Sequence, residues 1–223
     1  MQNIIPNIKI TINDKLYVKD PETSELGRNI LKNSIELIDK IGFEAFTFKK
    51  LGEQIQSNES SIYRYFENKH KLLMYLSSWY WSWMEYRIVL ATTNLIDPVE
   101  KLEKAIRTVT ETIADDEATP YINELILNRI IIEEFSKTIG TKNVDDENKA
   151  GFFLVYKNVI NRLVSAIEEI NPNYPYSKSL ASTVVESALH QQFLKQHLKT
   201  ITNFSEQDCS SSFFIDLVKK TIL

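Results

Sequence analysis

The stretch "FTFKKLGEQIQSNESSIYRYFENKHKLL", residues 46–73, holds two short apolar patterns separated by a polar break at Gln56–Ser61. Phe48, Leu51 and Ile55 recur at helical spacing behind Thr47, a residue type suited to an N-cap. After the break, Asn58 stands where a second N-cap would stand, and Ile62, Tyr65 and Phe66 turn apolar bodies to one side. The pattern reads as helix, tight turn, helix. The second helix is about two turns long, too short to persist alone, so neighbouring helices must hold it. Its outward residues are Glu59, Ser60, Ser61, Tyr63 and Arg64. A short supported helix with polar and aromatic residues projecting from it fits a recognition helix entering a DNA major groove. Arg64 suits guanine O6/N7, and Glu59 can accept from cytosine N4. Asn68 then caps a further helix whose first turn carries Lys69 and Lys71, where backbone amides also face an incoming phosphate.

Working outward, the signal stays helical. Leu26, Ile30, Ser34, Leu37, Ile38 and Ile41 form a stripe opened by Thr23 or Ser24 and stopped by Gly42. Asp97-Pro98-Val99-Glu100 combines an N-cap, a proline at the first helical position and an early acid. Thr119-Pro120 is expected to open a helix to about Lys137, and Phe152 to Ile170 to form another, broken by Asn171-Pro172-Asn173-Tyr174-Pro175. Ser177 to about Thr200 is expected to follow, and Ser205 with Asp208 to open the last helix. At the N-terminus, Ile10 and Ile12, then Leu16 and Val18, flank Asn13-Asp14 and predict a small hairpin or extended arm. The fold class is all-α: an N-terminal three-helix helix-turn-helix unit and a larger helical bundle. The expected division is an arm over residues 1–23, a DNA-binding domain over 24–75, and a ligand-binding and dimerisation domain over 76–223.

Composition narrows the function classes. A chain of 223 residues can bury a proper core. Its one cysteine, Cys209, has no internal disulfide partner, and neither a leader nor a membrane-length apolar run is evident. A cytoplasmic protein with no membrane role is expected. The net charge of −4 is uneven: residues 1–75 carry 11 Lys/Arg against 10 Asp/Glu, the remainder 15 against 20. DNA attraction must therefore come from where individual cations sit, since the total supplies little steering. Glu186, His190 and His197 share a helical face but have no further convergent ligand. The five glycines are isolated, so no loop cradles a phosphate. These absences argue against an enzyme and against a metal or other cofactor.

The run "GFEAFTFKKLGEQI" followed by "SSIYRYFENKHKLL" resembles the helix-turn-helix of the tetracycline-repressor (TetR/AcrR-type) family of bacterial regulators, over roughly residues 24–75. The resemblance implies that Thr47, Tyr63, Tyr65 and Lys69 sit on phosphates, with Glu59, Ser60, Ser61 and Arg64 nearest the base edges. It also implies a C-terminal domain that binds a small ligand and dimerises. Two departures stand in the motif: Ile55-Gln56-Ser57 replaces an Ala-Gly-Val-like turn, and Gly52 replaces a usual alanine.

In "LLMYLSSWYWSWMEYRIVL", Leu72, Leu76, Trp79, Trp83 and Tyr86 step by four and three along one helix. These rings either weld two domains together or line an apolar cavity, into which Trp83, Tyr86, Phe135 and Tyr156 would project. The dimer surface is expected on the last two helices, at Val184, Ala188, Phe214, Leu217 and Val218. The leading expectation is a dimeric repressor on a near-palindromic double-stranded operator, with half-sites about 34 Å or a multiple apart, released by a small apolar or aromatic ligand. The alternatives are a regulator answering to a protein partner and a helical interaction protein that kept the fold but lost specific DNA binding.

Overall fold

The computed structural model describes residues 10–113, 119–205 and 209–223, and every regular element among them is helical. Ser24 accepts from the Gly27 amide and opens α1 (Glu25–Ala45), which breaks at Gly42, whose φ of 77° places it in the left-handed region. There follow α2 (Phe48–Gln54), α3 (Glu59–Tyr63), α4 (Lys69–Thr92), α5 (Pro98–Thr110), α6 (Glu124–Ile139), α7 (Val144–Lys149), α8 (Leu154–Ile170), α9 (Ser177–His197) and α10 (Ser211–Ile222). Local caps explain several further starts: Thr47 accepts from the Lys50 amide, Asn68 from the Lys71 amide, and Asp97 from the Val99 and Glu100 amides.

The described residues fall into two compact units, and the division does not follow a single cut in the chain. The first contains Met1–Tyr80 with Ile113–Phe153, the second Trp81–Thr112 with Leu154–Leu223. In the first, α1 packs on α2 and α6, and α2 on α3, around Ile30, Leu31, Ile35, Ile38, Phe46, Leu51, Ile62 and Phe66. In the second, α5, α8, α9 and α10 pack together, with Leu102, Ile106, Val159, Leu163, Ala181, Val184 and Val218 inside. Helix α4 runs through both groups, changing membership between Tyr80 and Trp81. Its residues 72–81 are buried all round, not along one stripe as the four-and-three stepping predicts.

Several boundaries differ from the sequence pattern. No hairpin forms over residues 10–23; two 3-10 turns occupy Asp14–Leu16 and Pro21–Thr23. Asn13 caps the first of these instead of turning a hairpin, because its side chain accepts from the Lys15 amide and donates to the Ala150 carbonyl. The Val18 amide bonds the Tyr65 carbonyl at 2.8 Å, so the segment is tied to the end of α3. The part of the expected arm over residues 1–9 lies outside the described residues. Thr119-Pro120 makes a turn, and α6 starts only at Glu124, capped by Asn123. α8 starts at Leu154, after α7, which the apolar pattern does not announce. α10 starts at Ser211, and Asp208 of its expected opening lies outside the described residues.

Candidate nucleic-acid interface

The placement of α3 follows from one inward residue within it and two just past its end. Ile62, Tyr65 and Phe66 are buried, which leaves Glu59, Ser60, Tyr63 and Arg64 exposed and Ser61 half-exposed. Asn58 occupies the N-cap position but makes no side-chain cap bond. Tyr63, 48% exposed, rests edge-on against Phe48 with ring centroids 5.0 Å apart, so its direction is fixed while its hydroxyl remains outward.

The turn before α3 accounts for both departures from the family pattern. Gln56 holds φ at 54°, a left-handed conformation that favours glycine. The Ser57 amide bonds the Gly52 carbonyl at 2.9 Å, and a Cβ built on Gly52 would stand 2.7 Å from the Ser57 carbonyl oxygen. The missing side chain at Gly52 thus makes room for the close approach of a turn whose own left-handed residue is not glycine.

Two residues expected on phosphates point elsewhere. Tyr65 is only 2% exposed, and its hydroxyl shares a 2.8 Å hydrogen bond with Ser24 Oγ; two residues beyond the outward Tyr63, it falls on roughly the opposite side of the helical turn. Lys69 directs its ammonium inward, donating to the carbonyls of Phe43, Glu44 and Phe46 at 2.9, 3.1 and 3.2 Å, and lies over the Phe43 ring. These carbonyls lie at and just past the C-terminal end of α1, where acceptors outnumber helical amides; a flexible cation nearby satisfies them, the Phe43 carbonyl also accepting from the Phe46 amide at 3.3 Å. Lys71 likewise donates to the Lys15 carbonyl and lies 4.0 Å from the Phe152 ring centroid. Thr47 remains exposed at the start of α2. Beside it, Lys49 and Lys50 are exposed cations in the first turn of α2, with Lys50 donating to the Ala45 carbonyl. The sequence signal was the Lys49-Lys50 pair two and three residues after a capping threonine, overshadowed by the lysines after Asn68.

The end of α1 is also gripped from α6. Arg129 makes a two-pronged bond to Asp39 at 2.8 and 2.9 Å, Glu134 accepts from the Phe43 amide at 3.3 Å, and Lys137 bridges Glu134 and Glu44. Hydrogen bonding to Glu134, opposed by partial burial, raises the Lys137 pKa above its ordinary value.

The expected ligand residues are placed separately. Trp83 and Tyr156 are buried in the second unit, where Trp81 packs on Tyr156 at 4.9 Å and the Tyr156 hydroxyl donates to Glu186 at 2.7 Å. Burial, followed by that bond, raises the Tyr156 pKa. Tyr86 is half-buried, and Phe135 belongs to the first unit and is buried there. Of the five expected dimer residues, Val184, Ala188, Phe214 and Val218 are buried within the single chain, because α9 and α10 spend those stripes on α5 and α8. Leu217 is open, at 37% exposure, as are Phe213, Leu198 and Ile201. Among the described residues no group of three or more His, Cys, Asp or Glu could hold a metal ion, and no helix is long and apolar enough to cross a membrane.

Residues 30–76 match the family described as bacterial regulatory proteins, tetR family. No curated protein sequence matches the chain. Among solved structures, a tetR-family regulatory protein from Rhodococcus RHA1 superposes with a TM-score of 0.64 at 14% identity, over 89% of this chain and 97% of that one. FadR from Bacillus subtilis, a transcriptional regulator solved with stearoyl-CoA, gives 0.60 at 15% identity, over 87% and 98%. AibR, solved with isovaleryl coenzyme A and operator DNA, gives 0.58 at 15%, also over 87% and 98%. Residues 30–76 therefore match the helix-turn-helix region of the tetR family of bacterial regulatory proteins, and the described helices carry the fold of that family's solved members.

Proposed function

We propose that the protein is a dimeric, operator-binding transcriptional repressor released from DNA by a small ligand held among the helices of its second unit. The carrying observation is α3, where buried Ile62, with Tyr65 and Phe66 buried just past the helix end, leaves Glu59, Ser60, Tyr63 and Arg64 outward. Arg64 and Glu59 read base edges, with Ser60 and Ser61 beside them; Thr47, Tyr63 and the exposed Lys49 take phosphates. One short helix makes too little contact for operator affinity, so two copies are required. The open Phe213 and Leu217 of α10, with Leu198 and Ile201, support pairing through that end of the chain.

Ligand control is supported by the continuity of α4, which carries Lys69 at one end and Trp83 further along. The ligand-bound states of AibR and FadR, with isovaleryl coenzyme A and stearoyl-CoA, support control by a molecule with an apolar tail. A ligand that favours the released state by about 3 kcal/mol lowers operator affinity by up to roughly 150-fold. The test is footprinting of the purified protein on genomic DNA at controlled salt. Arg64→Ala should relax preference at one position, whereas Tyr63→Ala should weaken all sequences alike. An unchanged motif with Arg64→Ala, together with a changed one with Tyr63→Ala, would reverse these roles; no specific retention at any salt would leave only the interaction-protein reading.

A further inference from the structure

Three arginines of the described structure face carboxylates, and one is bonded differently. Arg129 on Asp39 uses Nε and Nη2 at 2.8 and 2.9 Å, and Arg162 on Glu85 uses the same pair at 3.1 and 2.9 Å. Both side chains are well exposed, so their remaining donors are open to solvent. Arg87 instead gives Glu111 a single bond from Nη2, at 2.6 Å, while Nη1 is buried with no hydrogen-bond partner. The guanidinium carbon lies 4.8 Å from the Trp83 ring centroid.

Arginine cannot shed its proton to escape this arrangement. A buried charged donor without an acceptor is costly and calls for an explanation. The indole fixes one face of the guanidinium, and Glu111 fixes its rotation, so Nη1 is held in one direction. The two arginines whose pairing is purely structural, Arg129 and Arg162, use the fork instead.

We propose that Arg87 recognises the anionic head, a carboxylate or a phosphate monoester, of the ligand that controls the protein, so that the effector is an amphipathic anion and not a neutral apolar compound. This rests on the ligand-control reading given above. Trp83 then serves as the platform beneath the guanidinium, not as a wall of an apolar cavity. Glu111, which already neutralises Arg87, opposes a second anion and keeps affinity for small inorganic ions low. Tight binding therefore requires a tail as well as a head.

The experiment uses the full chain and three probes with one tail: octanoate, methyl octanoate and octyl phosphate. Binding is read by tryptophan fluorescence, since all three tryptophans lie at 79–83, and by release of footprinted DNA. Octanoate or octyl phosphate should bind at least tenfold more tightly than the ester, and which of the two is preferred identifies the head. Arg87→Met should reduce the acid-to-ester ratio to near one, Arg87→Lys should retain part of it, and Glu111→Gln should increase affinity for the anion several-fold. Equal binding of acid and ester by the parent protein overturns the assignment, as does a ratio unaltered in Arg87→Met. If Arg87→Met does not fold, a Glu111→Gln variant that leaves anion affinity unchanged overturns it instead. Release of DNA by the ester alone removes Arg87 from the site while preserving ligand control; release by none of the probes removes both.

Discussion

Helices α3 and α4 make a useful contrast. In α3, five residues long, inward and outward positions separate cleanly, and the exposed side chains are those expected to touch DNA. In α4, with 24 residues, the stretch 72–81 is buried on every side, so periodicity carries no information about which ring fills space and which lines it. A helix that meets solvent displays its function in its pattern. One that meets only protein does not.

The largest expected effect tests this contrast directly. Leu76 is fully buried in α4, and Leu76→Ala should cost about 2–5 kcal/mol, read as a lower urea midpoint. The bases preferred by the folded fraction should be unchanged. Tyr63→Ala should do the reverse, leaving the midpoint nearly fixed and weakening DNA binding. If Leu76→Ala changed the preferred motif, the separation between scaffold and reader would be lost.

Next in size is the exchange of roles between two lysines. Lys69→Met removes the donor from three carbonyls at the end of α1 and should cost about 1–3 kcal/mol of stability. Lys49→Met should leave stability alone and reduce the slope of log affinity against log salt by about one. Equal salt slopes in Lys69→Met and Lys49→Met, each below the parent's, would return Lys69 to the phosphates.

The smallest effect concerns the turn. Gln56→Gly should stabilise by about 1 kcal/mol by relieving the left-handed residue, measured as an upward shift of the thermal midpoint. Gly52→Ala should act in the opposite direction, because its methyl meets backbone at the Ser57 carbonyl and not a movable side chain. A neutral Gly52→Ala would mean that the turn yields without resistance.

These contrasts also explain how much the sequence reveals. Starts fixed by a side chain reaching its own backbone, at Ser24, Thr47, Asn68 and Asp97, were legible because the cause lies within four residues. The stop at Gly42 was legible for the same reason. The inward turn of Lys69 was not, since its acceptors are 23–26 residues away. Neither was the grip of Glu134 on the Phe43 amide, across 91 residues. Val184, Ala188, Phe214 and Val218 were correctly apolar, but an apolar stripe does not say whether its partner lies in the same chain.

The inward-facing lysines bear on how quickly the protein finds its target. Lys69 and Lys71 keep their charge but hold it back on carbonyls, and with ten acids against eleven Lys/Arg among the first 75 residues the reading module has little net field to draw DNA toward it. Association should then proceed at an unsteered rate of about 10⁵–10⁶ M⁻¹s⁻¹, varying weakly with ionic strength. Residence on random DNA should be brief, with little one-dimensional sliding between sites. Such a protein would search by repeated three-dimensional encounters and hold its operator mainly through slow departure.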